Sequence, residues 1–393
     1  MKAIRLGLLP RIIIAIALGI GLGLVVPDGV TRLFLTFNAI FSQFLGFAIP
    51  LIILALVAEA IGSIGHSAGK MLLLTVAIAY GSTVFSGYLA YFTGDAIFPH
   101  LIEPGKVEQL QSAGEALTPY FTVEMPPVMG VMTALVLAFI LGLGVAHLES
   151  KALKHVIVDV KDIISDVIEK VIIPLLPLYI FGIFLEMASS GKVAGVLVVF
   201  IKIIGVIFAL HILLLLLQFT IAGVITKKNP LRLLGNMLPA YFTALGTASS
   251  AATIPVTLAQ AKKSGASDGV ASFVVPLCAT IHLSGSTLKI VSCALALILM
   301  QGGAYDLGLF THFILLLGVT MVAAPGVPGG AIMAALAILQ SILGFSVEEQ
   351  ALMISLYITM DSFGTACNVT GDGAIALVVD KLLGHKVQGS ATA

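Results

Sequence analysis

The chain has 393 residues, of which 59% are hydrophobic and only 10% charged, and its 20 basic and 20 acidic residues cancel. An average soluble domain carries about 25% charged residues, so a water-facing body of this size is excluded and the composition reads as a polytopic membrane protein. The 40 glycines fit, glycine being commoner in membrane helices than in soluble ones, and the balanced charge gives no footprint for nucleic acid.

A spanning helix needs roughly 20 apolar residues. In chain order, such stretches are expected near 6–26, 37–62, 71–93, 127–147, 166–189, 194–225, 271–301 and 351–383, which makes about eight transmembrane helices. The first follows Lys2, Arg5 and Arg11, as a signal peptide would, but no small-residue cleavage site follows it, so an uncleaved helix is expected. Two further apolar segments, 233–261 and 308–344, are broken near their middles by TASSAATIP (247–255) and APGVPGG (324–330). Halves of about 10–15 residues are too short to span. Each segment therefore reads as a re-entrant hairpin, tolerated at membrane depth only inside protein or beside a water-filled cavity. The three cysteines, Cys278, Cys293 and Cys367, lie in apolar runs with no metal-site or disulfide spacing and read as small core residues.

Charge placement agrees. Lys70, Lys151, Lys154, Lys161, Lys227, Lys228, Arg232, Lys262, Lys263, Lys381 and Lys386 fall on one side, with both termini. The 94–126 segment on the other side carries Asp95, Glu103, Glu108, Glu115 and Glu124 against Lys106. The positive-inside rule then places both termini in the cytoplasm of a multi-pass protein of the cell inner (plasma) membrane. It holds only if 233–261 enters from the cytoplasm and 308–344 from outside. Hairpin plus helix (233–301) followed by hairpin plus helix (308–383) from the opposite face is a pair of inverted repeats, the sequence pointer to a secondary transporter's central site.

The densest chemistry is DSFGTACNVTGD, 361–372. Asp361, Thr365, Asn368 and Asp372 stand at i, i+4, i+7 and i+11, one stripe of a helix. Ionisable residues at membrane depth are functional by default. Two carboxylates and an amide are hard oxygen ligands suited to Na⁺, protons or an ammonium group. The preceding span holds PLCATIHLSGSTLKI, 276–290, in which Ser284 to Thr287 is expected to unwind and offer carbonyls and hydroxyls. His282 reads either as a hydrogen-bonded packing histidine or as a positive charge facing the carboxylates, and Lys289 either as a snorkelling lysine or as such a charge. His211 and Lys202 read as structural. At the first hairpin tip, Ser249, Ser250 and Thr253 precede Pro255, and the donor-rich start of a half-helix suits a substrate carboxylate. The second tip, Gly326-Val327-Pro328-Gly329-Gly330, offers bare backbone and a hinge.

At these motifs the chain resembles the dicarboxylate/amino acid:cation symporter family, the glutamate-transporter group. SSAATIPVTLAQAKKSGASDGVASFVVPLCATI is similar to that family's first hairpin and the start of its seventh helix, GVPGGAIM to its second hairpin tip and NVTGD to its eighth-helix signature. The resemblance covers essentially the whole chain and is sharpest over 230–385. It implies an all-α polytopic elevator fold, a homotrimer and coupling to Na⁺ or H⁺, with no organic cofactor. It also implies a division into 1–93 (scaffold helices and the start of the transport domain), 94–126 (extracellular), 127–228 (scaffold helices), 229–385 (transport core) and 386–393 (cytoplasmic tail). Substrate contacts carried over by the resemblance are Ser249, Ser250, Ser286, Val327, Gly329, Asp361, Gly364, Thr365 and Asn368. Cation binding or coupling falls to Thr280, His282, Ser284, Lys289, Asn368 and Asp372, with Asn368 and Asp372 matching a sodium site.

Two positions depart from the family pattern. Its Asn-Met-Asp-Gly-Thr signature reads His282-Leu283-Ser284-Gly285-Ser286, and its eighth-helix Arg, which grips an acidic side chain, is Gly364. The expectation is therefore a cation-coupled symporter of a small neutral amino acid (Ser, Thr or Ala), coupled to fewer sodium ions than the family pattern. The alternative is a dicarboxylate or acidic amino acid symporter with Lys289 as counter-charge. An intramembrane aspartyl protease fails, because Asp361 and Asp372 are about 16 Å apart along one helix while such a dyad shares a proton. A channel needs no paired hairpins. No enzyme activity is expected.

Overall fold

The computed structural model describes residues 8–64, 70–102, 117–147, 151–191, 193–322, 324 and 329–390. Every regular element among them is a helix. The first group comprises α1 (Leu8–Gly23), α2 (Asp28–Ile64), α3 (Lys70–Leu101), α4 (Val131–His147) and α5 (Lys151–Val167), the last joined through a π-turn, Ile168–Ile172, to α6 (Ile173–Ser189). Then come α7 (Val193–Thr226), α8 (Pro230–Thr247), α9 (Ser250–Lys263), α10 (Asp268–Ile281), α11 (Ser284–Met300), α12 (Leu307–Val322), α13 (Gly330–Leu343), α14 (Val347–Thr359) and α15 (Asp361–Ser390). Among the described residues, five stretches are long and apolar enough to cross a membrane unaided, and α1 and α4 contribute shorter apolar helices. α3 runs eight residues beyond the apolar stretch that marks it in the sequence.

The chain packs as two groups. α2 gathers α4, α5 and α6, and α1 lies along α6. Gly19 and Gly23 permit that approach: an added Cβ would come within 2.8 Å of the Phe181 carbonyl oxygen and 2.5 Å of the Leu185 carbonyl oxygen, the small-residue device of membrane helix pairs. The extended residues after α3 are strapped to α2. Arg32 Nε donates to the Thr118 carbonyl (3.0 Å), its guanidinium covers the Tyr120 ring (4.4 Å), and Tyr120 N–H donates to Thr36 Oγ1 (2.9 Å). In the second group α11 is central and buried along its whole length. α3, α7 and α15 surround it, and α8, α9 and α10 pack on α15. The region 127–228 thus divides, α4 to α6 packing on α2 and α1 while α7 packs on α15, α8 and α11. α7 turns its other side outward with Val198, Ile201, Ile212 and Val224 exposed, as a lipid-facing helix does. The groups meet where α1 and α6 touch α14, and where α2 and α4 touch α13.

Four interruptions shape the second group. Asn229 caps α8, its Oδ1 accepting from Leu231 N–H (2.9 Å) and Arg232 N–H (3.2 Å). The chain then reverses at Ala248, in the left-handed region (φ 50°), and Ser249 caps α9. α8 and α9 lie side by side, as do α12 and α13, giving two hairpins of half-length helices. α13 starts after Gly329 at φ 77°, a conformation glycine adopts without steric cost.

α10 and α11 break at His282–Leu283, one turn earlier than expected, so Ser284 to Thr287 form the first turn of α11. The reason is long-range. Helix starts leave orphan N–H groups, and Asn368 Oδ1 on α15 accepts from Gly285 N–H (2.7 Å) and Ser286 N–H (3.3 Å). The final stretch, expected as one span over 351–383, is two helices that meet at Met360.

Candidate transport site

The stripe Asp361, Thr365, Asn368 and Asp372 is buried along α15 and faces the α10–α11 break. Close approach depends on a missing side chain. A Cβ on Gly285 would fall 2.7 Å from both Cys367 Cβ and the Gly364 carbonyl oxygen. His282 and Lys289 bracket the first turn of α11, and each meets one carboxylate.

At one end Lys289, fully buried, lies 3.5 Å from Asp361 Oδ1. Its Nζ donates to the Met360 carbonyl (3.2 Å) and sits 3.6 Å from the Tyr357 ring centroid. Gly329 N–H, at the head of α13, donates to Asp361 Oδ2 (2.8 Å). Gly364 makes room: a Cβ there would land on Lys289 Cε and Nζ. Tyr357 in turn donates its hydroxyl to Ser286 Oγ (2.9 Å), which also accepts from Asn368 Nδ2 (3.1 Å).

At the other end His282 Nδ1 is 2.8 Å from Asp372 Oδ1, both side chains being buried. With Asp372 ionised, a state in which a carboxylate only accepts, Nδ1 is the donor of this contact. His282 Nε2 is 3.0 Å from Ser82 Oγ on α3. Gln218 on α7 donates through Nε2 to Ser82 Oγ (3.0 Å) and to Ser284 Oγ (3.2 Å). Gly371 gives this chain its place, since a Cβ there would meet Gln218 Oε1 and His282 Cε1 at 2.7 Å. Gln218 Oε1 is buried beside this chain without a hydrogen-bond partner.

Other expected site residues lie as follows. Ser250 and Thr253 are buried on α9, which packs on α15, and Thr253 Oγ1 donates to the Ser249 carbonyl (2.8 Å). Thr365 is buried in the stripe. Thr280 is exposed, its hydroxyl turned back to the Leu277 carbonyl (2.8 Å). Val327 lies outside the described residues. His211 Nε2 approaches the Gly285 carbonyl (3.1 Å), and Lys202 Nζ donates to the Leu101 carbonyl (2.9 Å), tying α7 to the end of α3. The three cysteines are free and buried.

Sequence reasoning overlooked Ser82, Gln218 and Tyr357. Gln218 had a signal, as a lone amide in the apolar run LLLLLQFT. Ser82 and Tyr357 had none, being ordinary residues on helices whose neighbours are distant in sequence.

Two hairpins and two interrupted helices converging on buried carboxylates define a membrane transporter rather than an enzyme. Half-helix ends placed around a central polar site are the architecture of secondary transporters. The model of the sodium:dicarboxylate symporter family matches residues 8–382, and the chain belongs to that family. It is 28% identical over 391 residues to the serine/threonine transporter SstT of Acinetobacter baumannii, covering 96% of this chain and 97% of that protein. It is 29% identical over 212 residues to human excitatory amino acid transporter 1, covering 53% of this chain and 38% of that protein.

Proposed function

We propose that this symporter couples a Na⁺ gradient, a H⁺ gradient or both to uptake of a small neutral amino acid of the Ser, Thr or Ala kind. The observation that carries the reading is the pairing at Gly364. No side chain projects there, and Lys289, the cation beside it, is already paired with Asp361. A second carboxylate on the substrate would be buried without a free counter-charge, a costly arrangement. Asp361 would receive the substrate ammonium, with Thr365, Asn368, Ser286, Ser249, Ser250, Gly329 and Gly364 contributing to the substrate site. The near full-length likeness to a serine/threonine transporter supports the same choice.

Asn368 and Asp372 would hold a sodium ion, or Asp372 a proton, with Thr280, Ser284 and His282 contributing to coupling. Oxygen donors suit Na⁺. His282 already holds one oxygen of Asp372, and Ser284 supplies no second carboxylate, which supports fewer sodium ions. Residues 229–385 would move as a transport core against the scaffold in an elevator cycle. The homotrimer is supported by the family resemblance, and the inner-membrane placement with cytoplasmic termini by the distribution of lysines and arginines.

The second reading, an acidic amino acid or dicarboxylate held by Lys289, is favoured by the same lysine beside Gly364. Uptake into proteoliposomes of labelled serine, threonine, alanine, aspartate and succinate, under separately imposed Na⁺ and H⁺ gradients, decides. Neutral amino acids are expected to be carried best. Preference for aspartate or succinate would transfer the site to the second reading.

A further inference from the structure

Both oxygens of Asp361 have partners within the protein. Lys289 takes Oδ1 and the Gly329 N–H takes Oδ2. The lysine head is surrounded as an amino-acid ammonium would be, by a carboxylate, the Met360 carbonyl and the face of Tyr357. The bare Cα of Gly364 leaves the space it fills. None of its side chain is exposed.

We infer that Lys289 is a tethered stand-in for the substrate's ammonium: it occupies Asp361 in the substrate-free core and yields that carboxylate when substrate binds. The inference rests on the amino-acid reading above. A buried carboxylate stripped of its cation is strongly disfavoured, so an empty core must either recruit a cation from water or carry its own. Lys289 reaches across from α11 to α15 and supplies one. Gly329 N–H holds the other oxygen of the same carboxylate.

Binding is then an exchange of partners. The substrate ammonium replaces Lys289 on Asp361, and the freed lysine meets the substrate's own carboxylate. A zwitterion leaves the summed charge unchanged, whereas a dicarboxylate presents no ammonium to Asp361. The lysine's flexible four-carbon stem permits the move.

The consequence separates two kinds of transport. Net uptake requires the empty core to return, and exchange of internal for external substrate does not. In proteoliposomes, labelled serine uptake is measured into empty vesicles and into serine-loaded vesicles, for the wild type, Lys289→Met and Lys289→Gln. The ratio of net uptake to exchange should fall at least about tenfold in both variants, because their return step leaves Asp361 bare. A merely structural role lowers both rates together, so an unchanged ratio overturns the inference. Lys289→Gln retains a donor for the Met360 carbonyl and covers the case in which the Met variant is not folded. A wild type that exchanges no amino acid at all overturns the amino-acid reading itself, and the inference with it.

Discussion

The two carboxylates of α15 meet their cations differently. Asp361 and Lys289 are 3.5 Å apart with 9% of the aspartate side chain exposed, and the lysine divides its contacts among a carboxylate, a carbonyl and an aromatic ring. Asp372 and His282 are 2.8 Å apart, and the histidine's second nitrogen leads through Ser82 to Gln218. The first pair sits beside the head of α13 and the α14–α15 break, where backbone already departs from helix. The second starts from the α10–α11 break at His282 and is tied to α3 and α7 through Ser82 and Gln218. A long contact shared among a carboxylate, a carbonyl and an aromatic ring suits a site that must swap partners. A short contact wired to two other helices suits one that holds its geometry while an ion or proton is exchanged.

The largest effect is expected from Asp361→Asn, which leaves the buried Lys289 without its counter-ion. Removing one partner of such a pair costs roughly 3–5 kcal/mol. Thermal unfolding should fall accordingly, and substrate-induced stabilisation should vanish. Wild-type affinity in this variant would show that the substrate ammonium binds elsewhere.

His282→Asn attacks the tighter pair. Loss of the Nδ1 contact leaves a buried carboxylate less satisfied, for about 1–3 kcal/mol. It also frees Asp372 Oδ1 for a cation, so the slope of uptake against Na⁺ should steepen. A slope identical to the wild type's would deny His282 any part in coupling.

Gly364→Ala is aimed at the looser pair alone. Its Cβ would collide with the end of Lys289, a flexible group, so overpacking should cost only about 1–2 kcal/mol. Serine affinity should drop while the Na⁺ slope stays as in the wild type. A change in that slope would show that the two ends of the stripe are coupled more strongly than their separation suggests.

The smallest effect is expected from Tyr357→Phe, which removes the hydroxyl bond to Ser286 and keeps the ring under Lys289, for about 1 kcal/mol. Tyr357→Leu removes the ring as well and should lose a further 0.5–2 kcal/mol or so of cation–π attraction. Equal effects in unfolding and serine-binding measurements would place the weight on the hydroxyl.

Much of the architecture was legible in one dimension. Apolar run lengths marked the spans, while TASSAATIP and APGVPGG marked the hairpin turns. The spacing of Asp361, Thr365, Asn368 and Asp372 marked one face of α15. The break before α11 was placed slightly late, at Ser284 to Thr287, because the group that satisfies its first N–H donors is Asn368 of a distant helix. The break at Met360 was missed for a similar reason: the stretch has no Pro, and Gly364 lies a turn further on. Gly364 was read as the absence of a gripping side chain, whereas the structure shows it as the space that admits Lys289.

The sequence by itself determined that this protein lives in a membrane, where its two hairpins turn and which residues share the charged face of α15. These follow from local hydropathy, backbone chemistry and the helical repeat. Only the tertiary structure decided that Lys289 pairs with Asp361, that His282 pairs with Asp372, and that Ser82 and Gln218 complete the second site. Such partners are set by which helix faces meet and by the glycines that let them approach, and helical periodicity says which side a residue points to but not what stands opposite.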